Sequence, residues 1–96
     1  MKVHKLKTWP KYFKGIKSGE KTFEIRKNDR DFKEGDILIL EEYDPKHKAY
    51  TGQRAQMKVE YILFPSEEVE IGIKDGFCIM AIVDNSAIIS NVIYSS

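Results

Sequence analysis

The chain carries one cysteine, Cys78, among 96 residues, so no intrachain disulfide is available to staple the fold. Cys78 lies in the apolar run FCIMAI, where a buried, inert thiol in a reducing compartment is the expectation. Histidine is nearly as scarce: His4 and His47 have no cysteine or carboxylate beside them at ligand spacing, and no metal or cofactor is expected. Long hydrophobic runs are missing too. Nothing approaches the roughly 20 apolar residues that cross a bilayer, and no signal-peptide core precedes the first charged segment, so the expectation is a cytoplasmic protein without a membrane partner. The chain also lacks G-x-S-x-G, a Walker-type glycine loop and a dinucleotide fingerprint, which argues against the common hydrolase, nucleotide-triphosphatase and dehydrogenase chemistries.

What is present is an ordinary globular composition, 42% hydrophobic and 32% charged, enough for one small core and too little for two. The net charge of +1 conceals an asymmetry. Residues 1–34 hold eleven Lys or Arg against five Asp or Glu, and residues 35–96 hold five against ten. The first third is therefore the expected anion-facing side, with Lys11, Lys14 and Lys17 supplying long-range attraction; a merely solvated lysine face is the plain alternative.

Local patterns divide the chain into strands around one early helix. Val3 to Lys7 can form a short strand, too brief to show which face is buried. Thr8 can cap a helix, Pro10 suits its first turn and Gly19 its left-handed end. Trp9, Tyr12, Phe13 and Ile16 recur at helical spacing; of these, Phe13 and Ile16 suit the core, and Trp9 is the ring to expect at a cleft. TFEIR reads as a strand with Phe23 and Ile25 inward, and Thr22, Glu24 and Arg26 on the opposite face. Asn28 to Asp31 read as a structured turn, followed by a turn at Gly35 and Asp36. ILILEEY, QMKVEYILF and FCIMAIV read as further strands, with DPKHKAYTG as a hairpin connection and Met57, Val59, Tyr61 and Leu63 alternating along the second. The stretch from Pro65 to Gly76 gives no firm assignment. The reading is α+β, mainly β: a small barrel or curved sheet of five or six strands with one N-terminal helix. Residues 1–84 form the domain, and residues 85–96 a C-terminal extension that can add an edge strand.

The densest chemistry lies in GEKTFEIRKNDRDF, residues 19–32, with eight charged side chains in fourteen positions. Lys21 and Arg26 pair a point charge with a planar fork, both suited to phosphate. Glu24 can accept from the exocyclic amine of a base. Lys27 and Arg30 can extend the anion-facing rim, and Trp9, Tyr12 or Phe13 can offer a stacking face. The bland alternative is an ion-pair network that merely orders the sheet, although exposed pairs contribute only about 0–1 kcal/mol.

Gly19, Lys21, Glu24 and Arg26 in the spacing G-x-K-x-x-E-x-R, between HKLKTWPKYF and KEGDILILEEYD, resemble the signature of the ASCH domain within the PUA-like superfamily. The resemblance is to a short bacterial and phage branch of unassigned function. It covers residues 4–64 and the strand near Phe77 to Val83. It implies a PUA-like β-barrel with a cleft beside the helix, into which the signature side chains project, and binding of RNA, single-stranded nucleic acid or a nucleotide. An ASCH-related bacterial family that deacetylates acetylated cytidine implies an alternative: an amidohydrolase of modified nucleosides with Lys21 and Glu24 as its catalytic pair. That family's threonine falls where this chain has Glu24, Thr22 lies two residues earlier, and its glutamate would fall near Glu67, Glu68 or Glu70. A third class is a protein-interaction module using the acidic second half.

Overall fold

A computed structural model describes residues 1–65 and 72–85. The elements are β1 (Val3–Thr8), α1 (Pro10–Ser18), β2 (Phe23–Lys27), β3 (Ile37–Asp44), β4 (Ala49–Leu63) and β5 (Phe77–Asp84). They form one sheet in the order β1-β3-β4-β5-β2, curled into a half-barrel with α1 as the helix. The mainly-β, α+β expectation holds. No helix among the described residues is long and apolar enough to cross a membrane. The expected extension beyond Asn85 and the three glutamates near position 68 lie outside the described residues.

β1 runs parallel to β3, with Val3 opposite Ile37 and Leu6 opposite Leu40, while the other pairings are antiparallel. Parallel pairing requires a crossover, and α1, β2 and the turn before β3 supply it. The core is built from Leu6, Leu38, Leu40, Met57, Val59, Cys78, Met80 and Ile82, closed by Phe13 and Ile16 of α1 and by Phe32. The even-numbered residues of β1, β3 and β5 therefore face inward. Burial pushes the Cys78 thiol pKa up, in keeping with an inert core residue.

Four expectations change. First, Thr8 does not cap α1. The β1–β3 ladder continues through Thr8, opposite Glu42, so Trp9 takes the N-cap position, with no side-chain cap bond. Pro10 at the first helical position and Gly19 at the left-handed end, φ 82°, match their expected roles. Second, β4 begins at Ala49, well before Gln56, and makes a long hairpin with β3 in which Tyr43 pairs with Tyr50. The sequence TGQR suggests a loop, but pairing on one side suffices to hold it extended. Third, the alternation Met57, Val59, Tyr61, Leu63 breaks at a bulge between Val59 and Tyr61. The extra residue turns Tyr61 and Leu63 outward and buries Ile62.

The fourth change is the largest. β2 is inverted relative to its expected orientation: Phe23 and Ile25 are 43% and 46% exposed, whereas Glu24 is 3% exposed. Glu24 and Arg26 do alternate with the apolar pair, but they take the inward direction of the strand, while Thr22, just before it, is exposed. The neighbouring ladder fixes this. Glu24 stands opposite Met80 and Arg26 opposite Cys78, both core residues of β5, and side chains opposite one another share a face.

A second polar arrangement anchors the turn before β3. Asp36 is 2% exposed and accepts the Lys2 and Lys33 N–H groups, with His4 Nε2 at 2.8 Å. Burial acts to raise the Asp36 pKa, but these hydrogen bonds outweigh it and the net direction is down. The His4 ring also meets Phe32 edge-on at 4.8 Å between centroids.

Candidate functional site

The charged face of β2 opens on a cleft of about 600 Å³ at the mouth of the half-barrel, within the range of small-ligand sites. β2 supplies Glu24 and Arg26 together with the half-exposed Phe23 and Ile25, the link between α1 and β2 supplies Lys21, and α1 with its cap supplies Trp9 and Tyr12. Thr8 at the end of β1 completes the floor. Gly15 permits this assembly. A Cβ there would stand 3.1 Å from the Lys21 Cβ, and the Lys21 N–H donates to the Gly15 carbonyl at 2.9 Å. The helix and the Lys21 backbone thus approach more closely than a larger residue would comfortably allow.

Glu24 organises the floor. Its Oε1 accepts from Lys21 Nζ at 2.6 Å and its Oε2 from Arg26 Nε at 2.8 Å. Its side chain is 4% exposed, against 19% for Lys21 and 26% for Arg26. Glu24 thus holds two cations whose heads remain partly open to the cleft. Lys21 Nζ also donates to the Phe23 carbonyl at 2.6 Å and lies 5.0 Å from the Phe23 ring centroid. Arg26 Nη2 donates to the Lys7 carbonyl at 3.1 Å and to Thr8 Oγ1 at 3.4 Å. Five donors in a guanidinium leave the Nη1 pair with no hydrogen bond among the described residues.

Formal charges sum to +1 over Lys21, Glu24 and Arg26. The donors left over belong to the cations, so the floor suits a ligand rich in acceptors or negative charge. Trp9 and Tyr12 are about half exposed at the mouth, at 53% and 51%, and offer π faces there.

The sequence-predicted residues are only partly convergent. Lys21, Glu24, Arg26 and Trp9 line one cleft. Lys27, at the end of β2, and Arg30, in the following turn, are exposed and do not line it. Arg30 Nη1 instead donates to the Lys5 carbonyl at 3.0 Å. The turn itself is structured as expected: Asn28 Oδ1 accepts the Phe32 N–H, and the Asn28 N–H reaches the Gly76 carbonyl. Of the three rings that the sequence offered for stacking, Trp9 and Tyr12 line the cleft and Phe13 is buried in the core. Sequence reasoning missed Lys7, Thr8, Phe23 and Ile25 as lining residues; Lys7 and Thr8 gave no signal, since their place depends on β1 pairing with β3, and Phe23 and Ile25 read as core. Among the described residues no cluster of three or more His, Cys, Asp or Glu could hold a metal.

Comparison with known proteins finds relatives without an assigned activity. The chain is 33% identical over 69 residues to the uncharacterized 12.9 kDa protein in GpA 3'region of Escherichia phage P2, covering 72% of this chain and 62% of the phage protein. It thus spans less than two thirds of that relative. The crystal structure of hypothetical protein PH0355 shares the fold, with a TM-score of 0.58 at 23% identity over 88% of this chain and 99% of that one. Residues 3–82, nearly the whole described half-barrel, match one family throughout, and the chain belongs to that family, described as Domain of unknown function (DUF3850).

Proposed function

We propose that this half-barrel is an ASCH-type, PUA-like domain that binds RNA, single-stranded nucleic acid or a nucleotide in the cleft beside α1. The observation that carries the reading is the buried Glu24 gripped by Lys21 and Arg26 at the floor of a cavity whose mouth holds two half-exposed rings. Burying a carboxylate with two cations is costly in free energy, and a hydrophobic replacement often serves stability as well or better. A site function accounts for its retention. In this reading Lys21 and the Arg26 Nη1 pair meet phosphate or base acceptors, Trp9 or Tyr12 stacks on the base, and Glu24 orients both cations. This narrows the role expected from sequence, in which Glu24 itself reads a base edge, because its carboxylate is almost covered.

Trp9 is the sole tryptophan and a built-in reporter. Titration with uridine monophosphate and with a short oligouridylate at low salt should quench its emission saturably. Lys21→Ala and Arg26→Ala should each weaken that binding by tenfold or more. Absence of binding to both probes at low salt would refute the reading.

One contact favours a second reading, an amidohydrolase of acetylated or otherwise modified nucleosides: Lys21 Nζ and Glu24 Oε1 are 2.6 Å apart on the cleft floor. The pair could activate a water for amide cleavage. Incubation with acetylated cytidine, followed by chromatography for cytidine and acetate, decides it. Turnover abolished by Lys21→Ala supports catalysis, and no turnover removes it.

A further inference from the structure

β1 and β2 are the two edge strands of the curled sheet, and Arg26 of β2 and Arg30 of the turn after it reach the Lys7 and Lys5 carbonyls of β1, so the two free edges border one seam. In β2 the even-numbered residues hold the ladder to β5: the Ile82 N–H donates to the Thr22 carbonyl, and the Asn28 N–H to the Gly76 carbonyl. Phe23 and Ile25 therefore turn their backbone groups toward the seam. In β1 the Lys2 carbonyl accepts from Ile37 on the β3 side, so the peptide groups of Lys5 and Lys7 point into the seam as well. Three of the carbonyls there already accept from a cation. Arg30 takes Lys5, Arg26 takes Lys7, and Lys21 takes Phe23.

This pattern discriminates between guests. An added protein strand needs free carbonyls and N–H groups in alternation, and capped carbonyls refuse it. The caps themselves are cations with N–H groups to spare, and the N–H donors of Lys5 and Lys7 point the same way. The seam thus presents donors and positive charge, and it suits a guest made of acceptors. Its spacing adds a further constraint. Arg26 and Arg30 are anchored on alternate carbonyls of one strand, about 7 Å apart, which is the scale of one nucleotide step in an extended strand. Asp31, the nearest carboxylate to follow Arg30, is engaged by Lys33 at 3.2 Å and Lys2 at 4.0 Å, which offsets its charge.

We infer that the seam between β1 and β2 is a track for a single-stranded phosphodiester backbone, with Arg26 and Arg30 on consecutive phosphates. The inference rests on the nucleic-acid reading of the cleft and extends it: the ligand is a polymer that leaves the cleft along β1, rather than an isolated nucleotide. The base at the Arg26 end meets Trp9 and Tyr12. At the Arg30 end Phe32 is buried, so contact there is to the backbone and independent of sequence.

Calorimetric titration of the full chain with uridine monophosphate and with a short oligouridylate, each at several salt concentrations, tests this. The oligonucleotide should bind at least tenfold more tightly, with a log–log salt slope steeper by about 0.7 for each added phosphate contact. Arg30→Ala should weaken the oligonucleotide about three- to tenfold, flatten its slope by about 0.7, and leave the mononucleotide unchanged; Arg26→Ala should weaken both. Urea unfolding of each variant separates lost binding from lost folding, and Arg30→Lys, if Arg30→Ala unfolds, should retain the slope. Equal affinity for the two probes, or an Arg30 variant that folds and keeps the wild-type affinity and slope, overturns the track while sparing the cleft. Binding of neither probe at low salt overturns both.

Discussion

Glu24 stands directly opposite Met80 in the β2–β5 ladder, a carboxylate in register with a methionine that is fully buried. The pairing puts an acidic side chain on the core face of the sheet and leaves its neighbours Phe23 and Ile25 outside. Lys21 and Arg26 make this tolerable by saturating one lone pair on each carboxylate oxygen.

Removing that carboxylate should leave two cations facing each other without their common partner. Glu24→Ala should cost about 2–3 kcal/mol, somewhat below the roughly 3–5 kcal/mol of a fully buried broken pair, because Lys21 and Arg26 keep part of their hydration. Urea denaturation at neutral pH measures it. A loss below about 1 kcal/mol would mean that the cluster behaves as an ordinary surface network.

The inversion of β2 predicts an unusual tolerance pattern. Phe23→Thr and Ile25→Thr should each cost less than about 1 kcal/mol, whereas Met80→Ala on the facing strand should cost about 2–5 kcal/mol. If the apolar pair proves as sensitive as Met80, the strand is oriented the other way.

Asp36 predicts an acid limb. Its folded pKa lies below the unfolded value of about 3.9, so its contribution to stability is present above that pH and is lost as pH falls through the folded value. The stability difference between wild type and Asp36→Asn should therefore shrink as pH drops below about 4. A difference that stays constant from pH 7 to pH 3 would contradict the hydrogen-bonded, ionised Asp36.

Cys78 is fully buried, and desolvation disfavours its thiolate. A thiol-specific chromogenic reagent should react with the native protein only at the rate of global opening, and at once in denaturant. Fast labelling of the folded chain would show that β5 is not the covered strand described above.

Much of the fold was legible because it follows from local rules. Pro10 and Gly19 bracket α1, since each fits a backbone geometry that few other residues take as readily. ILIL and FCIMAIV form strands because β-branched and apolar runs of that length bury well in a sheet. The break after Val59 was hidden, because a bulge is an extra residue in one strand relative to its partner. The His4–Asp36 pair was equally hidden, since its members are 32 positions apart.

The sequence by itself put Glu24 and Arg26 on one face of β2, through the two-residue period of a strand; Lys21 joined them by the resemblance of G-x-K-x-x-E-x-R alone, and it is the folded link before β2 that brings its ammonium to Glu24. Trp9, at the end of α1 away from that link, meets them only in the folded chain, where it lines the same cleft. Which way the charged face would point was decided only by tertiary structure. Alternation divides a strand into two faces without saying which is inside, and hydrophobicity alone favours burying Phe23 and Ile25. The ladder to β5 overrides that preference, because β2 has to place Glu24 and Arg26 on the face where Met80 and Cys78 already lie. The cleft, the two cations held at its floor and the seam beside it all follow from that register.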